Sequence, residues 1–390
     1  MVTMTDEQRE LRELARDFAT AELRPHSATW DEVRALPDDV FAKLAESGFL
    51  GMLVPETYGG LGFDLPTYLL VLEELAWGDA SVALSVAIHS GPVSGMVLRH
   101  GTEAQKQTWL PLLASGEALG AFALSEPDAG SDASSVTTRA TRDGDGWRLD
   151  GEKRWVTNGA RAGLVLVFAR TSEDGLGVFL VSPDADGYTV GHRENTMGLR
   201  GSETVTVRLD GVRVGADALL GEVDKGLVMA LEALDVGRIG IAIQAVGVGR
   251  AAIEHAAEYS LEREQFGTPI GRFGALQAKL ADSAQRVAAG RALAHEAALA
   301  WEATRSGAAR TGPDGVTARA AMAKLAASEA ATFAADEAIQ IYGGYGYMRH
   351  YPVERLMRDA KGAEIYEGTN EIMRRVIAGE ILRASADAPF

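Results

Sequence analysis

Apolar residues recur at helical spacing through the first third of the chain. Leu11, Leu14, Ala15 and Phe18 share one face, and Thr5 followed by Gln8 gives a capping-box signature just ahead of them. Pro25, Pro37, Pro55 and Pro66 punctuate this region, VPETYGGLGFD reads as a loop, and residues 67–77 return to a helix. Residues 89–95 read as a break between helices.

The pattern changes at residues 116–120, after which segments are short, β-branched and rich in turns. DGDGWRLDG reads as two strand ends around a turn, and LVLVFAR as a buried strand. In ETVTVRLDGVRV, Val205, Val207 and Leu209 face one way, and Thr204, Thr206 and Arg208 the other. The links are too short for helical crossovers, so the expected sheet is antiparallel. Beyond Asp224 the helical period returns. Leu227, Leu231, Leu234, Arg238, Ile241, Ala245, Val248 and Ala252 follow spacings of four and three, the seam of a bundle. A second long helix is predicted over 273–306 and an Ala-rich third over 316–342, with GAARTGPDGV as the loop between them. The expected division is a helical domain over 1–118, a β domain over 119–224 and a helical bundle over 225–390.

A chain of 390 residues exceeds what one core usually serves. Its net charge of −17, with no basic run, disfavours a phosphate backbone as partner. The absence of cysteine removes disulfides, thiolate metal sites and thiol nucleophiles. No metal site is expected. The charged N-terminus and the lack of an uninterrupted apolar run of spanning length point to a cytoplasmic protein without membrane insertion.

Several residues call for an explanation. Arg238 occupies a seam position otherwise filled by apolar residues, and Asp235, one turn earlier, is its natural partner. That pair serves equally well as an ordering salt bridge or as the floor of a ligand cleft. FALSEPDAGSD sets Ser125, Glu126, Ser131 and Asp132 around Gly130, and WVTNG presents an aromatic face and a hydroxyl beside a turn. IYEGTNEIMRRV puts Glu367 before Gly368, with Thr369 and Asn370 as caps of a helix beginning near Glu371. Flanked by Ile365 and Tyr366, the Glu367 carboxylate reads as partly desolvated, which would raise its pKa and suit a general base. An ordinary first-turn glutamate favoured by the helix dipole is the competing reading and prevails on these residues alone. Gly247, Gly249 and Ala252 mimic a dinucleotide-binding turn. The heptad runs straight through them, so close helix packing is the preferred reading.

Taken in order, FALSEPDAGSD, WVTNG, LRGSETV, DVGRIGIAIQAVG, REQFGTPI, IQIYGGYGY and IYEGTNEI resemble the acyl-CoA dehydrogenase family along nearly the whole chain. The resemblance implies an α+β multidomain fold: N-terminal helices, a central antiparallel β-barrel-like domain and a C-terminal four-helix bundle, assembled as a homotetramer. It implies FAD as cofactor. Phe122, Ala123, Leu124, Ser125 and Ser131, then Trp155, Val156 and Thr157, match the pieces beside the flavin. Arg263 and Phe266, with Gln340, Ile341, Tyr342, Gly343 and Gly344, match residues holding the adenine and pyrophosphate end across a subunit contact. Thr369, Asn370 and Glu371 match another flavin-contacting turn. Ser131, Asp235, Arg238 and Gly368 match positions that contact the acyl-CoA substrate.

The implied reaction is α,β-dehydrogenation to the trans-2-enoyl thioester. Glu367 removes the α-proton, hydride passes to flavin N5, and electron-transferring flavoprotein reoxidises the cofactor. The backbone N–H of the base and a ribityl hydroxyl would polarise the thioester oxygen. Some branches of the family carry the base on the bundle helix; that position here is Gly237, which favours the short- or medium-chain, straight-chain pattern. Gly274 stands where the family often has a flavin-contacting Gln. The alternatives are an acyl-CoA oxidase or flavin monooxygenase on the same scaffold, or a non-catalytic acyl-thioester binding paralogue.

Overall fold

The computed structural model describes residues 4–386. Seven helices come first: α1 Asp6–Phe18, α2 Ser27–Val33, α3 Asp38–Glu46, α4 Leu65–Gly78, α5 Ala80–Ile88, α6 Gly95–His100 and α7 Glu103–Ser115. Their ends follow local chemistry. The Thr5–Gln8 capping box forms with both reciprocal bonds, and Thr102 with Gln105 forms a second one at α7. Asp64 caps α4 ahead of Pro66, and Gly116 closes α7 in the left-handed conformation.

The expected break at 89–95 is absent. Helix runs from Ala80 to His100, passing through a π-helical turn at His89–Ser94 that contains Pro92. The wider turn accommodates a proline that would break an α-helix, and Ser94 Oγ donates to the His89 carbonyl at 2.8 Å. By length and composition this run is also long and apolar enough to cross a bilayer, although Ser81, Ser85, His89, Ser90 and Ser94 interrupt it. It is 89% buried inside the fold, as a core helix would be. His89 joins it to the sheet: Nε2 meets the Leu113 carbonyl at 3.1 Å, and Nδ1 accepts the Gly120 N–H at 3.0 Å. Burial holds this imidazole well below its usual range, at about 4, so it stays neutral.

The β part contains β1 Leu119–Ala123, β2 Arg139–Asp143, β3 Gly146–Val156, β4 Ala162–Arg170, β5 Leu176–Val181, β6 Tyr188–Arg193, β7 Val205–Val214 and β8 Leu219–Leu220. They form one sheet in the order β6-β7-β3-β2-β4-β5-β8, with β1 joined to β4. The pairings are antiparallel except β1 with β4 and a single bridge between β2 and β4. The β2–β3 hairpin intervenes between β1 and β4, which gives the chain length to return parallel. DGDGWRLDG folds as expected, with Asp143 facing Gly146 across a two-residue turn and Gly144 at φ +62. Alternation along β7 holds at Val205, Val207, Leu209 and Arg208, but Thr206 is buried as well.

Five further helices complete the chain: α8 Gly226–Glu262, α9 Gly274–Ala303, α10 Val316–Tyr342, α11 Pro352–Ala363 and α12 Asn370–Ala386. Gly247 and Gly249 lie inside α8, so the dinucleotide-turn reading falls away. A Cβ on Gly247 would sit 2.6 Å from both Ala76 Cβ and the Glu73 carbonyl oxygen. One on Gly249 would sit 2.8 Å from Val287. Glycine here lets α4 and α9 approach α8. Two buried amides then tie the parts together. Asn158 Nδ2 donates to the Ser85 and Gly120 carbonyls, both at 3.0 Å, and Gln244 Nε2 donates to the Ala80 carbonyl at 2.7 Å.

Gly247→Val should lower the thermal midpoint of the FAD-saturated protein, reflecting an overpacking cost of about 1–3 kcal/mol. FAD should still bind. Differential scanning calorimetry checks this, and an unchanged midpoint would refute the close approach of α4 to α8.

Candidate active site

Glu367 lies in the turn between α11 and α12, at φ +55, with Gly368 next at φ +93. A left-handed glutamate costs of order 1–3 kcal/mol, so its surroundings must over-determine it. Two buried cations do so. Arg238 on α8 directs Nε toward the Glu367 carbonyl at 3.4 Å, and Lys324 on α10 donates Nζ to the Gly368 carbonyl at 2.7 Å. Lys324 also donates to Asn370 Oδ1 at 3.0 Å, which accepts from Ser328 Oγ at 3.1 Å. Tyr366 anchors the other side, its hydroxyl donating to Gln244 Oε1 at 2.8 Å.

The carboxylate itself is left unpaired. Glu367 Oε2 is buried and has no hydrogen-bond partner among the described residues. It faces α8 at Gly237, where any Cβ would overlap it. Burial raises the pKa of Glu367 to about 7, and the attraction of Arg238 and Lys324 offsets only part of that rise. The expected apolar flank is Tyr366 alone, since Ile365 is exposed. Thr369 accepts from Ile372 N–H at 3.3 Å as a cap. Asn370 begins α12 and spends its side chain on Lys324 and Ser328, and Glu371 is exposed.

Asp235 and Arg238 do pair, at 3.1 Å, and both are buried. Asp235 Oδ2 also accepts from Arg310 Nη2 at 3.0 Å and Thr317 Oγ1 at 2.9 Å. Burial raises the Asp235 pKa despite these partners. Arg238 therefore has its charge largely matched by Asp235, while Lys324 binds only neutral acceptors.

The loop after β1 is fixed by a buried pair that sequence reasoning did not single out. The Glu126 carboxylate accepts from Lys153 Nζ at 2.7 Å, Thr137 N–H and Oγ1 at 2.7 Å, and Thr138 N–H at 2.9 Å. Burial acts to raise the Glu126 pKa, but Lys153 and these donors outweigh it and hold the group well below its usual range. Lys153 Nζ also bonds the Leu124 carbonyl at 3.1 Å, and Arg154 N–H bonds the Ser125 carbonyl at 2.9 Å. Phe122 packs on Phe168 with ring centroids 4.8 Å apart, and Ser131 is exposed. Trp155 is 54% exposed at φ +56, with half-buried Thr157 nearby in sequence. Ala123 and Val156 point into the sheet core, which leaves only their backbone for a ligand.

A second locus gathers the residues expected to hold a nucleotide. Arg263, Phe266, Gln340, Ile341, Tyr342, Gly343 and Gly344 line a cavity of about 600 Å³. Tyr342 stacks on Tyr259 at 4.1 Å, while Phe266 is 96% exposed at φ +55. Gly343 takes φ +61 and ψ −135, a conformation open essentially to glycine alone, and a Cβ on Gly344 would meet nothing within 4 Å. Arg263 lies over the Tyr345 ring at 5.6 Å and forms no ion pair among the described residues. An uncommitted guanidinium above an open glycine turn fits the diphosphate of FAD.

Family models for the acyl-CoA dehydrogenase N-terminal, middle and C-terminal domains match residues 5–117, 121–212 and 224–382. The chain belongs to the acyl-CoA dehydrogenase family. It is 41% identical over 387 residues to the bovine (Bos taurus) mitochondrial short-chain specific acyl-CoA dehydrogenase, covering 98% of this chain and 92% of that one. Butyryl-CoA dehydrogenase from Megasphaera elsdenii superposes with a TM-score of 0.93 at 39% identity, covering 98% and 100%. A chain from a structure described as electron transferring flavoprotein of Acidaminococcus fermentans gives 0.94 at 37%, covering 100% of both. The acyl-CoA dehydrogenase complexed with FAD from Bacillus anthracis gives 0.92 at 32%, covering 99% and 68%. The reaction class of this dehydrogenase is FAD-dependent oxidation of an acyl-CoA thioester.

Arg263→Ala should weaken FAD binding by one to two decades, because losing a charge-assisted bond to a diphosphate costs about 1.5–3 kcal/mol. Fluorescence titration of the apoprotein measures it, and equal affinity would remove Arg263 from the site. A Cβ on Gly274 also meets nothing within 4 Å. Gly274→Gln should therefore fold normally and tighten FAD in the same titration, and unchanged or weaker binding would count against a cofactor contact there.

Proposed function

We propose that this dehydrogenase acts on short straight-chain acyl-CoA, with Glu367 as the base that takes the α-proton. The observation that supports this reading is a carboxylate oxygen that is buried and unpaired, on a group poised near neutral pH. A group whose only task was structural would be paired or left in water. A base must reach a substrate hydrogen, so its lone pairs stay uncommitted.

The α-proton passes to Glu367, and the electron pair it leaves is delocalised into the thioester carbonyl. The Glu367 N–H is the residue's own means of polarising that carbonyl. Bound FAD supplies the acceptor for the β-hydrogen and its electron pair. Phe122, Leu124, Ser125, Ser131, Trp155, Thr157 and the backbone of Ala123 and Val156 would hold the flavin side. Arg263, Phe266 and Gln340 to Gly344 would hold the nucleotide side, and Thr369, Asn370 and Glu371 the turn beside the base. Ser131 and Gly368 remain candidates for direct substrate contact. Asp235 and Arg238 remain candidates as well: both Asp235 oxygens and Arg238 Nε and Nη1 are engaged with protein, whereas Arg238 Nη2 has no protein partner among the described residues.

The bare Gly237 surface beside the carboxylate favours the straight-chain pattern over branches with a bundle-helix base, and butyryl-CoA dehydrogenase is among the relatives that match end to end. We further read the physiological acceptor as an electron-transferring flavoprotein, the assembly as a homotetramer and the location as cytoplasmic. Phe266 and Met348 are exposed and line the same cavity, which gives a second copy of this chain an apolar surface to meet.

Glu367→Gln should fold and bind FAD and acyl-CoA, with flavin reduction slowed about 10²–10⁴-fold. Anaerobic stopped-flow absorbance measures the rate, and near-parental reduction would sink the assignment. The parental rate should rise with pH through about 7, because the base works only when deprotonated and its pKa is raised to that value. In Glu367→Gly the space beside residue 237 is freed. Adding Gly237→Glu should then recover part of the reduction, and no recovery in a folded, FAD-loaded double variant would contradict that juxtaposition.

A further inference from the structure

Lys324 sits within α10, fully buried in a helix face that also carries Ala320, Ala321, Ala327, Ser328 and Ala331. A lysine there gives up its hydration, and only a specific gain compensates it. Its ammonium donates to the Gly368 carbonyl and to Asn370 Oδ1, both neutral. No carboxylate lies within ion-pair distance of Nζ among the described residues. Arg238, the other buried cation at the turn, differs because Asp235 balances it.

From this arrangement we infer that Lys324 is a positioning residue for the reaction. It locks the left-handed Glu367–Gly368 turn through the Gly368 carbonyl and places its positive charge beside the base without pairing to it. The distinction has chemical content. A lysine bonded directly to the Glu367 carboxylate would pin it and suppress its basicity. One bonded to the next carbonyl leaves the carboxylate free to turn toward substrate. Its charge still limits how far burial can raise the pKa of the base. Arg238 acts on the carboxylate in the same sense, so removing Lys324 should raise the pKa of the base further while leaving the Arg238 contribution in place.

The charged groups around the pair are few. α8 contributes Asp235 and Arg238, and Arg310 reaches Asp235 from the loop before α10. The turn itself contributes Glu364 and Glu371, and α11 contributes Asp359 near Tyr366. Asp235 is matched by Arg238 and Arg310, and Glu364 bonds Lys361 at 2.6 Å. Lys324 is therefore the one cation at this turn without a carboxylate partner among the described residues, and its pKa is pushed down to about 8, chiefly by burial.

The inference rests on Glu367 being the base, and its test separates the two claims. The FAD-loaded parent, Lys324→Met, Lys324→Arg and Glu367→Gln are compared by flavin reduction against pH. The protonation of Glu367 is followed independently by difference infrared spectroscopy, with Glu367→Gln identifying the band. In Lys324→Met both the kinetic and the infrared midpoint should move up by about one pH unit or more. Lys324→Arg should stay closer to the parent than Lys324→Met. If Lys324→Met does not fold, Asn370→Asp, which neutralises Lys324 locally, should move both midpoints the same way. Parental midpoints in whichever of these variants folds would overturn the inference, even with Glu367→Gln inactive. An active Glu367→Gln would instead overturn the base assignment itself.

Discussion

A proton-abstracting carboxylate must be dry without being paired, and these two demands pull against each other. Water removed from a carboxylate is ordinarily replaced by a cation, which lowers its basicity along with its freedom. At Glu367 the cations are present but bonded to the main chain: Arg238 addresses its carbonyl and Lys324 the next one. The positive field reaches the side chain while the side chain keeps its lone pairs. The turn's left-handed backbone makes this possible, because it sets two successive carbonyls toward the α8 and α10 side chains.

Much of the surrounding architecture serves that turn. α8 and α10 must lie close enough for Arg238 and Lys324 to reach one loop, and glycine and alanine at their contacts allow it. Gly237 gives the carboxylate a wall without side-chain atoms. Gln244 then relays position outward, accepting from Tyr366 and donating to the Ala80 carbonyl. Asn158 joins the same helical run to β1 through the Ser85 and Gly120 carbonyls. Sheet, core helix and the Glu367 turn are thus linked through buried amides.

The long C-terminal helices were legible in the sequence because period and punctuation agree: α10 begins and ends where its Ala-rich pattern does. The run through residues 89–94 was not, since Gly91 and Pro92 are ordinary breakers and the π-helical turn that absorbs them depends on packing. Glu367 stood out through its motif and its place before a glycine. Lys324 did not, because a lysine in a helix is normally a solvent residue. Its position within an alanine stripe was the available signal, and only the contact with residues 368–370 gives it meaning. Glu126 stood out in its motif, but its partner Lys153 was hidden similarly, on a strand that reveals the pairing only once β3 lies beside the loop. Ala123 and Val156 show the converse: their motifs are in place, but strand alternation turns both side chains into the core.

The central claim is that Glu367 is a free, desolvated base facing the α-carbon of a bound thioester. It is tested most directly where no net oxidation can follow. The fully reduced, FAD-loaded enzyme is incubated with a short straight-chain acyl-CoA in D₂O, and deuterium entry at the α-carbon is followed by proton NMR. The account predicts α-exchange in the parent, rising with pH through about 7, and loss of exchange in Glu367→Gln. Exchange at the parental rate in Glu367→Gln would contradict it.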